Sequence, residues 1–329
     1  MRSREIHLAA RPEGLPKESD FELAEVDVAE PADDELLIRN EFLSVDPYMR
    51  GRMNETRSYV PPFGLGEPMS GGAVGRVLVS RNADYAEGDW VVSMLGWREL
   101  ALSDGRGLQK IDAGAAPPSA ALGVLGMPGL TAYVGLLDIG RPKEGETVFV
   151  SGAAGAVGSV AGQIAKLEGC RVIGSAGSAE KVAWLEELGF DKAFDYKETP
   201  PREALRGETV DVYFDNVGGE HLEAALSAAN THARFVECGM ISRYNDDRPE
   251  PGPSNIALVV TKRLTLQGFI IGDHFDRAGD FFRDMSGWIR EGKVRYRETY
   301  VDGIENAPRA FLGLLQGENI GKMLVRLNA

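Results

Sequence analysis

The stretch Thr147-Val-Phe-Val-Ser-Gly-Ala-Ala-Gly-Ala-Val-Gly-Ser159 decides the fold. Thr147 to Ser151 is a short β-branched and aromatic run of the kind a buried parallel strand needs. From Val157 the apolar residues recur as Val157, Val160, Ile164 and Leu167, one face of a helix, and Gly169 ends the run. Between them Ala153, Gly155 and Gly158 follow the dinucleotide fingerprint, with alanine in the first glycine's place. Small residues there permit a tight turn, close approach of the backbone to a pyrophosphate, and close packing of helix on strand. The helix N-terminus adds N–H groups and the positive end of a dipole. The turn Gly155-Ala156-Val157-Gly158 is therefore a candidate phosphate cradle.

Downstream, strands and helices alternate. Arg171 to Ser175 reads as the second strand, followed by a helix capped by Ser178 with Val182, Leu185 and Leu188 on one face. Lys192 to Tyr196, Val210 to Asp215, Arg234 to Cys238 and Leu264 to Ile271 supply four more strands, and a helix is expected from about Phe275 to Arg290. Six strands with crossover helices specify an α/β fold with a doubly wound parallel sheet, its ligand across the carboxyl ends of the strands. The polar, proline-rich stretch from Gly239 to Ser254 leaves one of those ends, a position typical of functional loops.

The adenosine end selects between dinucleotides. An NAD-type unit places an Asp or Glu at the end of the second strand, on the ribose 2′-OH. Here that place reads Gly174-Ser-Ala-Gly-Ser178, without a carboxylate, and Lys181 follows one turn into the next helix. A 2′-phosphate would be repelled by an acid and held by a cation with hydroxyl donors. Ser178 and Lys181, with Tyr196, meet that need and point to NADP(H), against which Glu180 is a mild counter-argument.

Upstream of about residue 120 there is no helical periodicity. Glu35 to Arg39, Gly72 to Val79 and Asp89 to Ser93 are strand-like runs between Gly, Pro and Asp/Asn turns, the pattern of a small β-barrel or sandwich. Asp46-Pro-Tyr-Met-Arg50 and Tyr59-Val-Pro-Pro-Phe63 are expected to be proline-stiffened aromatic loops that either pack locally or wall a substrate pocket. Past Arg295 a strand, a helix near Pro308 to Leu315 and a last strand, Lys322 to Leu327, look like a return to this first part. A net charge of −14 argues against a nucleic-acid or anionic-membrane surface. With no basic leader before an apolar core and no membrane-length apolar run, a cytoplasmic enzyme is expected. The two cysteines, Cys170 and Cys238, and four histidines form no clustered ligand motif, so no metal site is expected.

Across nearly its whole length the chain resembles the zinc-independent branch of the medium-chain dehydrogenase/reductase family. That branch includes prostaglandin reductases, alkenal double-bond reductases and curcumin-reductase-like enzymes. The motifs that carry the resemblance are DPYMRGRM at Asp46, GMPGLTAY at Gly126, SGAAGAVGS at Ser151, GSAEK at Gly177, FDNVGG at Phe214, CGMIS at Cys238 and GENIGK at Gly317. The resemblance implies a GroES-like β-barrel catalytic domain from residues 1–120 plus 297–329, a Rossmann NADP-binding domain from 121–296, and a homodimer. It also implies that Lys181 and Tyr196 meet the 2′-phosphate and that Asn216 lies on the ribose-phosphate path. Cys238, Gly239, Met240, Ile241 and Ser242, with Phe269, Ile270 and Ile271, would line the cofactor, and Asn319 would lie by the nicotinamide. Several members carry a tyrosine just before the sixth strand; here that position is Thr261.

Reduction of an activated C=C bond needs hydride at the β-carbon and donors for the charge growing on the carbonyl oxygen. Without a metal those donors must be hydroxyls, and the nicotinamide ribose 2′-OH, Tyr48 and Tyr244 are the candidates, with Arg50 and Tyr59 in the substrate pocket. NADPH-dependent reduction of α,β-unsaturated ketones or aldehydes is the expected activity. A quinone oxidoreductase and a non-catalytic nucleotide-binding protein are the alternatives.

Overall fold

The computed structural model describes residues 1–248 and 250–327. Two compact units divide the chain. One comprises Met1–Gly123, Glu298–Asn319 and the stretch from Met323; the other comprises Val124–Arg297 and Ile320–Lys322.

The first unit opens with β1 (Arg2–Leu8), paired antiparallel with β2 (Phe21–Asp27). After β3 (Leu36–Ser44) the chain makes a single helical turn, α1 (Tyr48–Arg52). Then come β4 (Ala73–Ser80), β5 (Trp90–Ser93), β6 (Leu100–Ser103) and β7 (Gln109–Ile111). The expected loop at Asp46 to Arg50 is thus corrected to a helical turn. Pro47 holds φ at −59°, already helical, and so starts a turn too short to show a helical period in the sequence.

The second unit continues with α2 (Met127–Val134), β8 (Thr147–Val150), α3 (Gly158–Leu167), β9 (Arg171–Ala176) and α4 (Ala179–Glu187). It proceeds through β10 (Lys192–Asp195), α5 (Pro201–Ala204), β11 (Val210–Asp215), α6 (Gly219–Ala228) and β12 (Ala229–Glu237). It finishes with α7 (Leu258–Thr261), β13 (Thr265–Gly268) and α8 (Ala278–Arg290). The chain then returns to the first unit as β14 (Glu298–Asp302), α9 (Ala307–Leu315) and β15 (Lys322–Arg326).

Strand order in the second unit is β10-β9-β8-β11-β12-β13, with parallel pairings. Counted from β8, that is the order 3-2-1-4-5-6 of a doubly wound Rossmann sheet, whose connections reverse direction between β8 and β11. The first unit carries the separate sheet β14-β15-β3-β4-β5-β7, with β6 on β3. The fold is α/β, a Rossmann sheet inserted in the chain of a GroES-like β-barrel unit.

The larger boundary differences from the sequence reading fall in the second unit, where β12 already begins at Ala229 rather than Arg234. The sixth strand stops at Gly268, and α8 begins only at Ala278. Residues Ile271–Arg277 form a tighter 3-10 segment broken at His274, whose φ of −127° no helix accommodates. Each unit has its own apolar core. In the first, Trp97 stacks on Phe21 at 6.2 Å and meets Phe311 edge-on at 6.1 Å. In the second, the β8 residues Val148, Phe149 and Val150 are fully buried, as a central parallel strand requires.

Candidate active site

The phosphate turn follows β8 directly. Gly152 takes φ +58°, a conformation that favours glycine, and bends the chain off the strand. A Cβ on Gly158 would lie 2.5 Å from the Gly152 oxygen and 2.8 Å from the Ala153 Cα, so α3 can start this close to the turn only with glycine there. Gly155, Ala156 and Val157 are half-buried along the turn. Gly155 is bridged to Gly321, whose N–H donates to the Ala154 oxygen at 2.8 Å.

Below this turn Asp215, at the end of β11, is fully buried. Its Oδ1 accepts from Ser151 Oγ at 2.9 Å, Tyr213 Oη at 2.7 Å, and the N–H groups of Val217 and Gly218 at 2.8 Å each. Asn216 donates from its side chain to the Ser151 oxygen at 2.8 Å and from its backbone to Ser151 Oγ at 2.9 Å. The strand ends on either side of the reversal point are thereby tied together. Sequence reading singled out Asn216 and missed Asp215, although both stand in FDNVGG.

The Cys238 loop hangs from the same turn. Cys238 and Gly239 both donate to the Asp215 oxygen at 3.0 Å, Ile241 donates to the Asn216 oxygen at 3.2 Å, and Ser242 N donates to the Val217 oxygen at 3.1 Å. Met240 N donates to Tyr244 Oη at 3.3 Å, which sets the Tyr244 hydroxyl beside Gly239. Pro249, in the stretch expected to form a functional loop, lies outside the described residues. Phe269, Ile270 and Ile271 follow β13, half-buried, with Phe269 edge-on to His274 at 6.2 Å.

At the end of β9, Ser178 caps α4 by accepting the Lys181 N–H at 3.3 Å. A Cβ on Gly177 would come within 2.9 Å of Tyr196 Oη, so the glycine makes room for that ring, which rests edge-on against His221 at 5.1 Å. Burial, then the neighbouring Lys197 ammonium, depress the Lys181 pKa. Two cations placed close together in a chain of net charge −14 favour an anion between them. A glycine cradle at one end and paired ammonium groups at the other fit a dinucleotide with a 2′-phosphate; Lys197 is the member that sequence reading missed.

In the first unit, Tyr48 opens α1 with its hydroxyl buried and in no well-formed hydrogen bond. Burial first and Asp46 second raise its pKa, while Arg52 acts to lower it. Arg52 lies one helical turn from Tyr48, stacks over Phe63 at 4.0 Å, and donates to the oxygens of Pro61 at 2.9 Å and Ser70 at 3.3 Å. It links the Tyr48 turn to the Tyr59–Phe63 loop, and the i, i+4 spacing would have revealed it had the segment been read as helical. Arg50 is buried and donates to Asn54 Oδ1 and the Gly14 oxygen at 2.8 Å each, bracing α1. Tyr59 is exposed and Asn319 buried, both in the first unit. Thr261 ends α7, exposed. Among the described residues no group of three or more His, Cys, Asp or Glu side chains is placed to hold a metal ion.

A Rossmann sheet with this cradle, and with cations in place of the ribose-binding acid, defines a dinucleotide-dependent protein. Residues 4–111 match the family described as N-terminal domain of oxidoreductase, and residues 156–289 match zinc-binding dehydrogenase. The chain is 48% identical to the NADPH-dependent curcumin reductase of Escherichia coli, over 99% of this chain and 97% of that one. It is 42% identical to the NADP(+)-dependent 2-alkenal reductase of Nicotiana tabacum, over 96% and 94%. The crystal structure of CurA from Vibrio vulnificus in complex with NADPH superposes with a TM-score of 0.94 at 47% identity, covering 99% of both chains. The chain belongs to the zinc-independent branch of the medium-chain dehydrogenase/reductase family.

Proposed function

We propose that this protein is an NADPH-dependent reductase of the C=C bond in α,β-unsaturated ketones or aldehydes, acting without a metal. The observation that carries the cofactor choice is the Ser178, Lys181, Tyr196 and Lys197 arrangement at the end of β9. The activity itself is carried over from relatives that share nearly the whole chain. Bound NADPH supplies the hydride. The protein's part is to fix the pyrophosphate on Gly155 to Gly158, to hold the dinucleotide along the Cys238–Tyr244 loop, Phe269–Ile271 and Asn319, and to supply donors for the enolate oxygen. Tyr48, kept protonated by burial, and Tyr244 are those donors, with Arg50 and Tyr59 shaping the substrate pocket.

Residues 1–120 with 297–329 act in this reading as the catalytic domain, and 121–296 as the NADP-binding domain. The working form is a cytoplasmic homodimer; no described helix is long and apolar enough to cross a membrane. Following nicotinamide absorbance with NADPH and NADH in parallel, over a panel of enones, alkenals and quinones, tests the proposal. Turnover of enones or alkenals with NADPH preferred supports it. Turnover of quinones alone, or none at all, overturns it.

A further inference from the structure

Asp215 and Glu237 end the neighbouring strands β11 and β12 as register partners. Glu237 is partly exposed as a residue, yet both its carboxyl oxygens are buried, as is Asp215 Oδ2. As two ionised carboxylates these three oxygens would receive no donor at all, an expensive arrangement inside a protein. Burial raises the Asp215 pKa as well, but four donors converge on its Oδ1 and oppose that rise, whereas Glu237 has none, so Asp215 is the charged member of the pair. Among the described residues, the groups set against Glu237 offer no cation: Asp215 and Tyr213 on β11, Cys238 next in the chain, and Gly268, its register partner on β13. A proton on Glu237 would supply the missing donor.

We infer that Glu237 is a positioning residue: its protonated carboxyl pairs with Asp215 and holds the Cys238 loop on the turn that carries the phosphate-binding strand end. Burial first, and Asp215 second, push Glu237 up to about 8, so the proton is retained at neutral pH. The loop's first two amides hang from the Asp215 backbone oxygen. Loss of the proton therefore places two buried charges at the root of the loop and loosens it. The consequence for nucleotide affinity rests on the NADPH reading; the shared proton does not.

The test has two parts. Infrared spectroscopy of the nucleotide-free protein at pH 7 should show a protonated-carboxyl band that fades towards pH 9 and is absent from Glu237→Gln. NADPH titrations from pH 6 to pH 9 should show wild-type affinity falling about tenfold between pH 7 and pH 9, while Glu237→Gln, which mimics the neutral acid, keeps its pH 6 affinity throughout. Absence of the band, or identical pH profiles for the two proteins, overturns the inference. A titrating band in a protein that does not bind NADPH at pH 6 supports the shared proton and removes the cofactor reading. If Glu237→Gln does not fold, the wild-type band alone decides: its titration supports the pair and its absence sinks it.

Discussion

Gly158 has no steric room for any side chain, because a Cβ would strike backbone atoms that cannot swing aside. Gly158→Ala is expected to cost about 1–3 kcal/mol in urea unfolding, the scale of overpacking, and to abolish NADPH binding measured by fluorescence. Retained affinity would mean that the turn deforms more easily than its close contacts imply. Lys181 acts on charge. Removing it should weaken NADPH about tenfold or more, the scale of one charge-assisted hydrogen bond, while leaving NADH almost unaffected. Equal losses for both nucleotides would place Lys181 away from the 2′-phosphate. His221 is buried beside Tyr196, and burial lowers its pKa to about 4. The folded protein thus binds fewer protons at this group than the unfolded chain. Stability from keeping His221 neutral is complete above about pH 6.5 and is lost as pH falls towards 4, amounting to about 3 kcal/mol. His221→Phe should flatten that part of the acid-unfolding profile; an unchanged slope would count against it.

At the scale of elements, local pattern and long-range register differ in how far sequence exposes them. Strand β8, the glycine turn and α3 are contiguous, so β-branching, small residues and the 3.6 period reveal all three in one stretch. A doubly wound parallel sheet follows from alternation and right-handed crossovers, whereas the order 3-2-1-4-5-6 is set by which strands pair in the fold. The one-turn helix at Tyr48 was hidden because five residues are too few to show a period. The Asp215 hub was hidden for a different reason. Its partners stand on separate strands, and only the pairing of β11 with β12 sets Glu237 beside it. Reading α1 as a helix makes Arg52 testable. Arg52→Lys keeps the charge but loses the forked donation to Pro61 and Ser70. A several-fold rise in KM for an enone, with unfolding midpoint unchanged, is the expected result; an unchanged KM would confine Arg52 to bracing its loop.

For the whole molecule, a nucleotide bound only by the folded state stabilises it by mass action, about 2.7 kcal/mol at one hundred times its Kd. NADPH should therefore raise the thermal unfolding temperature clearly more than NADH at equal concentration, by scanning calorimetry with each nucleotide added. No difference would argue against 2′-phosphate recognition. The bridge between Gly155 and Gly321 carries a further implication, for biosynthesis. Gly321 takes φ +68°, and a Cβ there would lie 1.9 Å from the Arg297 oxygen, so this late position can sit beside the phosphate turn only as glycine. The Rossmann strands emerge from the ribosome long before Gly321 does. The nascent chain must hold a nearly finished nucleotide-binding unit, one edge of its phosphate turn unlatched, until Gly321 has emerged.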